Sequence, residues 1–196
     1  MILLSLEKLL ARVKCVRYLC QDETRVGLKT LTGKMITASG VKPTVEVKWE
    51  RENFWIYGAI EPLTGKHFEH EDPKLNGEYF QQFLDGLSQQ LGYDYAILQI
   101  DQSPAKTSSV IRWPENIIPL LQPPHAPELN PIERLWQLVK KILKNELFSC
   151  LQTLRVGVAR PRHRIQEIFD QLTFEQVISV SSYNFILEAL FYAASH

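Results

Sequence analysis

The sequence has no excess of charge of either sign. Its 196 residues include 22 Lys plus Arg and 22 Asp plus Glu, so net charge alone points to no class of partner. Cysteine is scarce, with only Cys15, Cys20 and Cys150, and no two of them have CxxC spacing. This argues against a disulfide framework or a zinc site and predicts reduced thiols in a cytosolic protein.

The sequence also lacks a long apolar segment. No run approaches the roughly 18 apolar residues that span a membrane, and the apolar start, MILLSLEKLL, is interrupted by Glu7 and Lys8. No basic region precedes this start and no small-residue cleavage site follows it, so it does not match a signal peptide. We therefore predict a soluble protein of the cytoplasm with no membrane partner.

Basic charge is concentrated in one part of the chain. Between Pro131 and Arg164 only Glu133 and Glu146 are acidic, whereas eight side chains are basic. These eight are Arg134, Lys140, Lys141, Lys144, Arg155, Arg160, Arg162 and Arg164. Such a stretch can bind DNA phosphates, but a solvated helix face has the same composition, and charge alone leaves both interpretations open.

The hydrophobic pattern predicts a single domain over residues 1–196 with an α/β fold, a mixed sheet flanked by helices. Short apolar runs predict strands at 16–20, 45–49, 54–60, 67–70, 95–100 and 117–121. Helical spacing of apolar residues predicts helices at 2–13, 76–91, 131–143, 164–172 and 174–194. The length suits one substantial core rather than two.

Three acidic residues are candidates for chemistry. Asp22 follows the first predicted strand, Asp101 ends the strand at 95–100, and Glu133 opens a helix capped by Asn130. Strand ends and a helix start can meet at one edge of an open sheet, where ligands of α/β proteins bind. Oxygen-only ligand sets suit Mg²⁺ or Mn²⁺, and two such ions about 3.5–4 Å apart promote phosphodiester chemistry.

Each of these carboxylates also has a structural interpretation. Asp22 can be a turn or cap residue, and Asp101 can cap the segment that starts near Pro104. Glu133 fits a capping box behind Asn130. Spacing therefore makes a metal-binding triad possible without establishing it.

Three segments together resemble a known family. They are QDETR at 21–25, LQID at 98–101 and PPHAPELNPIERLW at 123–136, and they resemble the DDE superfamily endonuclease domain of bacterial insertion-sequence transposases related to the mariner group. The tail FILEALFYAA at 185–194 is also similar to family sequence. The resemblance implies an RNase H-like fold in which Asp22, Asp101 and Glu133 are catalytic and bind two Mg²⁺ or Mn²⁺ ions.

The resemblance further implies a transposase that acts on double-stranded DNA in the bacterial cytoplasm. Such a domain would cleave DNA at transposon ends and direct the freed 3′-hydroxyl at target DNA. Transposases commonly work as dimers on paired ends, so a homodimer is a candidate assembly. The candidate DNA contacts are Lys106, Arg134, Lys140, Lys141 and Lys144.

Two departures from the family pattern bear on activity. The family has Asn after the second Asp and a His four residues later, where this chain has Gln102 and Lys106. Lys106 replaces an imidazole with a fixed cation, which would either contact phosphate or disturb the site. Only 21 residues precede Asp22, too few for a helix-turn-helix module, so we expect a separately encoded helix-turn-helix chain or a truncated remnant.

Three functional hypotheses follow from these observations. The first is a metal-dependent DNA endonuclease and strand transferase. The second is a catalytically inactive transposase remnant that at most binds DNA or a partner chain. The third, an RNase H-like nuclease acting on RNA–DNA hybrids, shares the carboxylates but fits the PELNPIERLW segment at 127–136 less well.

Overall fold

A computed structural model describes residues 15–124 and 126–156 of the chain. The strands in these ranges are β1 (Val16–Gly27), β2 (Asn53–Ile60), β3 (His67–Asp72), β4 (Tyr95–Ile100) and β5 (Ile117–Leu121). The helices are α1 (Gly77–Leu91), α2 (Pro104–Thr107), α3 (Ile132–Ile142) and α4 (Leu151–Val156), with a 3₁₀ turn at Pro127–Leu129. The helices predicted at 2–13, 164–172 and 174–194 lie outside the described residues.

The five strands form one mixed sheet in the order β3-β2-β1-β4-β5. The central strand, β1, is antiparallel to β2 from Cys20↔Ile60 to Gly27↔Asn53 and parallel to β4 from Val16↔Tyr95 to Cys20↔Gln99. β3 is antiparallel to β2, and β5 is parallel to β4. β1 therefore pairs with β4 over its first five residues and with β2 over the rest, and the two pairings meet at Cys20.

Alternation of side chains along β1 gives the sheet two buried faces. Tyr18, Cys20 and Val26 pack in a core that α3 covers, whereas Leu19 packs in a core that α1 covers. The sheet is thus the middle layer of a three-layer arrangement. None of the described helices is long and apolar enough to span a membrane.

Most of the predicted elements are confirmed. The predictions at 54–60, 67–70, 76–91, 95–100 and 117–121 correspond to β2, β3, α1, β4 and β5, with ends that differ by two residues at most. Asn76 caps α1 as predicted, because its Oδ1 accepts a hydrogen bond from the Tyr79 amide at 2.9 Å.

Two predictions about strands are wrong. Among the described residues, the segment 45–49 forms no strand; Lys48 exchanges backbone and side-chain hydrogen bonds with Thr30, but Trp49 is 72% exposed. Apolar alternation stabilises a strand only when one face packs against a core, and this segment is mostly exposed. β1, in contrast, extends past the predicted end at 20 to Gly27, because β2 pairs with it that far.

Gly58 of β2 packs directly beneath Trp136 of α3. A Cβ at Gly58 would lie 2.7 Å from Trp136 Cη2 and 3.2 Å from Ile132 Cδ1. We predict that Gly58→Ala lowers the free energy of unfolding by about 1–3 kcal/mol, because the indole has to shift within a packed core. Equilibrium unfolding in urea measures the change.

Gly77→Ala is the matched control for this substitution. A Cβ at Gly77 would meet Ala105 O at 3.4 Å, an ordinary contact, and Gly77 opens α1. We expect its stability to be unchanged or to rise by up to about 1 kcal/mol. Equal losses in both variants would show that Gly58 is not specifically required by Trp136.

Candidate catalytic centre

Asp22 lies within β1, at the point where this strand passes the end of β4. The last β1–β4 pair is Cys20↔Gln99, and Asp22 pairs with Gly58 of β2 two residues later. The prediction that Asp22 follows the first strand is therefore wrong, because β2 prolongs that strand. The residue still lies at the edge where the parallel strands end.

Asp101 directly follows β4, as predicted. Because β4 and β1 are parallel neighbours, the residues just after their last pair meet at the same sheet edge. The Asp101 Oδ1 also accepts a hydrogen bond from the Ser103 amide at 3.3 Å. The carboxylate therefore contributes to the turn into α2, the structural role that the sequence left open for it.

α3 brings Glu133 to this edge in its first turn. The helix begins at Ile132, one residue later than predicted, with Pro131 in the cap position. Asn130 fixes the helix start to β1, because its Nδ2 donates a hydrogen bond to Gln21 O at 3.0 Å. The charge of Glu133 acts on Asp22 and contributes to raising its pKa.

The ammonium of Lys106 lies among these carboxylates. Its Nζ is 2.8 Å from Asp101 Oδ1, 2.9 Å from Glu23 Oε2 and 3.9 Å from Asp22 Oδ1. Lys106 comes from α2 and is 1% exposed. In this structure its charge is therefore directed inward, toward the acids, and contact between Lys106 and DNA phosphate stays a prediction.

Glu23 also belongs to this group, although no sequence pattern singles it out. Adjacent strand residues ordinarily face opposite sides of a sheet, so the strand pattern alone does not predict a partner shared by Asp22 and Glu23. Lys106 reaches both because it approaches β1 beyond the end of β4. The side chain of Glu23 is 6% exposed and also accepts a hydrogen bond from Gln21 Nε2 at 2.9 Å.

Trp136 has a second role besides packing the core. Its indole Nε1 donates a hydrogen bond to Asp22 Oδ2 at 3.1 Å, and the ring is 1% exposed. The sequence pattern predicts only a core position for it. The available signal was that a buried indole N–H needs an acceptor.

Gln102 follows Asp101 at one of the two positions where the sequence departs from the family pattern. Its side-chain amide donates a hydrogen bond to Gln122 O at 3.0 Å.

Burial and like charge make these acids unequal. Burial raises the pKa of Asp22 to about 7; Lys106 opposes the shift, and Glu23 and Glu133 add to it. Burial also acts to raise the pKa of Asp101, but the Lys106 ammonium outweighs it and holds that pKa below its usual value. For Lys106 itself, burial is outweighed by the three carboxylates, so its pKa is raised and it stays protonated.

The donor chemistry of this centre fits a hard divalent cation, but in this structure the Lys106 ammonium stands among the same carboxylates. Carboxylate oxygens are the ligands that Mg²⁺ and Mn²⁺ prefer. The position between Asp22, Glu23 and Asp101 is filled by the Lys106 ammonium. Across residues 15–124 and 126–156, no group of three or more acidic, His or Cys side chains is arranged to hold a metal ion.

The other candidate DNA contacts lie on or just after α3 and are exposed. They are Arg134, Lys140, Lys141 and Lys144. Their exposure is compatible with both interpretations of the basic stretch. Contact with DNA stays a prediction.

Comparison with known sequences places these residues in a family. The profile of the DDE superfamily endonuclease family matches residues 17–155, a span that contains Asp22, Asp101 and Glu133. An uncharacterized protein of Sinorhizobium fredii (y4pE/y4sA) is 31% identical over 97 residues, which cover 48% of this chain and 72% of that protein.

Solved structures of Mos1 transposase share the fold. The Mos1 transposase paired-end complex with left transposon end matches with a TM-score of 0.55 at 18% identity, over 90% of this chain and 59% of the Mos1 chain. The Mos1 mariner paired end complex with Mn matches with a TM-score of 0.55 at 16% identity, over 91% and 60%. This chain thus spans about three fifths of the Mos1 chains. The likeness confirms the predicted RNase H-like fold.

The raised pKa of Asp22 makes stability depend on pH. Between pH of about 4 and 7, the folded protein keeps a proton on Asp22 that the unfolded chain has released. The free energy of unfolding therefore falls as pH rises, with a slope that approaches about 1.4 kcal/mol per pH unit from this group. Asp22→Asn removes the titration and keeps an oxygen for Trp136 Nε1.

We predict that the stability difference, Asp22→Asn minus wild type, increases from pH 4 to 7 and then levels off. Urea unfolding at successive pH values measures this difference. Asp85→Asn, on the exposed side of α1, is the control and should show no such rise. A flat difference for Asp22→Asn would contradict the assigned environment.

Proposed function

We propose, given that this chain belongs to the DDE superfamily endonuclease family, that it is a transposase catalytic domain which cleaves DNA at transposon ends and joins them to target DNA. One observation carries the proposal. Asp22 and Asp101, far apart in the chain, share one ammonium at the carboxyl ends of the parallel strands, and Glu133 acts on Asp22 at that edge.

Asp22, Asp101 and Glu133 are the residues that would hold Mg²⁺ or Mn²⁺, two ions in this proposal. Support comes from their carboxylate chemistry and from the Mos1 complex with Mn, which shares the fold. When bound, such ions supply activation of the attacking oxygen and stabilisation of the leaving oxygen of a phosphodiester.

The protein's own contribution is to fix the relative positions of these acids. Trp136 donates to Asp22, and the same helix carries Glu133. Asn130 joins the start of that helix to β1 at Gln21. Because Asp22 and Glu133 stand on packed elements and Asp101 directly follows β4, little reorganisation is needed when a substrate arrives.

Double-stranded DNA is the proposed substrate, both at transposon ends and as target. Arg134, Lys140, Lys141 and Lys144 are exposed, and a helix rises about 1.5 Å per residue, so Lys140 and Lys141 lie about 10–12 Å beyond Glu133. Support for DNA binding comes from this positive charge on the helix that leads away from the centre. The homodimer, the separate helix-turn-helix chain and the bacterial cytoplasm stay predictions.

The position of Lys106 favours a second candidate function. A buried ammonium that already neutralises the acids would suit a domain that binds DNA and no longer cuts it. This candidate predicts salt-sensitive binding to duplexes of any sequence, without cleavage at any metal concentration.

We predict that the purified protein nicks supercoiled plasmid in the presence of Mn²⁺ and that Asp101→Asn reduces the nicking rate by at least about a hundredfold. The reason is that Asp101 would lose one of its anionic oxygens at the proposed cation site. Conversion of supercoiled to open-circular plasmid on agarose gels measures the rate.

Asp85→Asn removes an exposed acid of α1 and is the matched control, expected to nick like the wild type. Nicking by Asp101→Asn at the wild-type rate would show that the centre is wrongly assigned. A folded wild type that binds duplex DNA but never nicks it would support the second candidate. Faster cleavage of RNA–DNA hybrids than of duplex DNA would contradict both and support the hybrid nuclease.

A further inference from the structure

We infer that Lys106 is a built-in counter-ion that occupies the cation position of the acidic centre, so that a divalent metal ion binds only by displacing its ammonium. The inference rests on the proposed function, because it takes the carboxylates to be the metal ligands. It assigns Lys106 a role in setting metal affinity, which is distinct from contact with DNA.

The contacts of Lys106 argue that it replaces a cation rather than lying beside one. Its Nζ contacts carboxylates from two separate stretches of chain, Asp101 after β4 and Glu23 within β1, at 2.8 and 2.9 Å. The Asp22 carboxylate is 3.9 Å away. Two of these three carboxylates, Asp22 and Asp101, are proposed metal ligands, so the ammonium occupies space that a metal ion between them would need.

The backbone holds Lys106 in this place. It stands in α2, where its amide donates to Ser103 O at 3.0 Å, and Asp101 accepts from the Ser103 amide. α2 lies against the start of α1, since Ala105 O is 3.4 Å from the position of a Cβ on Gly77. The side chain therefore leaves a fixed helical turn five residues after Asp101 and is directed at the carboxylates.

The excess of negative charge leaves the centre attractive to a cation of higher charge than an ammonium. The ammonium of Lys106 contacts Asp22, Glu23 and Asp101, and the charges of Glu23 and Glu133 act on Asp22, so acids outnumber the positive charge. Attraction to several carboxylates at short range grows with the charge of the cation. A divalent ion at sufficient concentration is therefore expected to displace Lys106, and the result is weakened metal binding rather than its loss.

Removal of the ammonium should raise metal affinity. Lys106→Met keeps a long unbranched side chain without charge, and we expect its dissociation constant for Mn²⁺ to fall at least about tenfold relative to wild type. Electron paramagnetic resonance of free Mn²⁺ measures this directly. The experiment uses the full chain without DNA and does not depend on turnover.

Two further variants keep the test decisive. Lys106→Gln retains hydrogen-bonding capacity toward the acids and provides the same test if Lys106→Met does not fold. Lys66→Met removes an exposed lysine of the β2–β3 turn, and its Mn²⁺ affinity should equal that of the wild type.

The outcomes separate this inference from the proposed function. Tighter Mn²⁺ binding in the Lys106 variants, lost again when Asp101→Asn is added, supports the inference even if no variant nicks DNA. Mn²⁺ affinity that is equal to or weaker than wild type in the folded Lys106 variants overturns it, even if the wild type nicks plasmid. Tighter binding that survives Asp101→Asn also overturns it, because the site would lie elsewhere.

Discussion

The repulsion among carboxylates that lie close together at one sheet edge is the constraint on which the centre depends. Burial disfavours a charged carboxylate, and neighbouring carboxylates disfavour it further, which is why the pKa of Asp22 is raised to about 7. The Lys106 ammonium offsets this repulsion through contacts with Glu23 and Asp101. An ammonium buried without partners would itself be costly, so the acids and the lysine stabilise one another.

The rest of the fold serves to bring these groups together. β1 pairs with β4 as far as Cys20 and with β2 from there to Gly27, which leaves a gap on its other side beyond the end of β4. Asp101 and Lys106 enter that gap from the chain after β4, and α3 closes it from one face. The absence of a side chain at Gly58 lets Trp136 lie close to the sheet, within hydrogen-bonding distance of Asp22. The sheet register, the packing of α3 and the placement of charge together fix the positions of Asp22, Asp101 and Lys106.

The periodicity of apolar residues was sufficient to predict the elements that pack against a core, such as α1 and β4. The predicted end of β4 was sufficient to place Asp101 at the edge of the sheet. Local pattern failed where the outcome depends on distant partners. Segment 45–49 alternates like a strand but lies mostly exposed, and β1 extends to Gly27 only because β2 pairs with it. The inward direction of Lys106 could not be predicted from the sequence, because it depends on how α2 leaves the sheet. The place of Glu23 in the centre could not be predicted either, because it depends on the contact with Lys106.

A crystal structure of the protein without added metal, at neutral pH, tests the central claim most directly. The account predicts that Lys106 Nζ lies within about 4 Å of carboxylate oxygens of both Glu23 and Asp101, with Trp136 Nε1 hydrogen-bonded to Asp22. A structure in which Lys106 extends into solvent while the acids stay together would contradict the account, because the acidic centre would then persist without its internal cation.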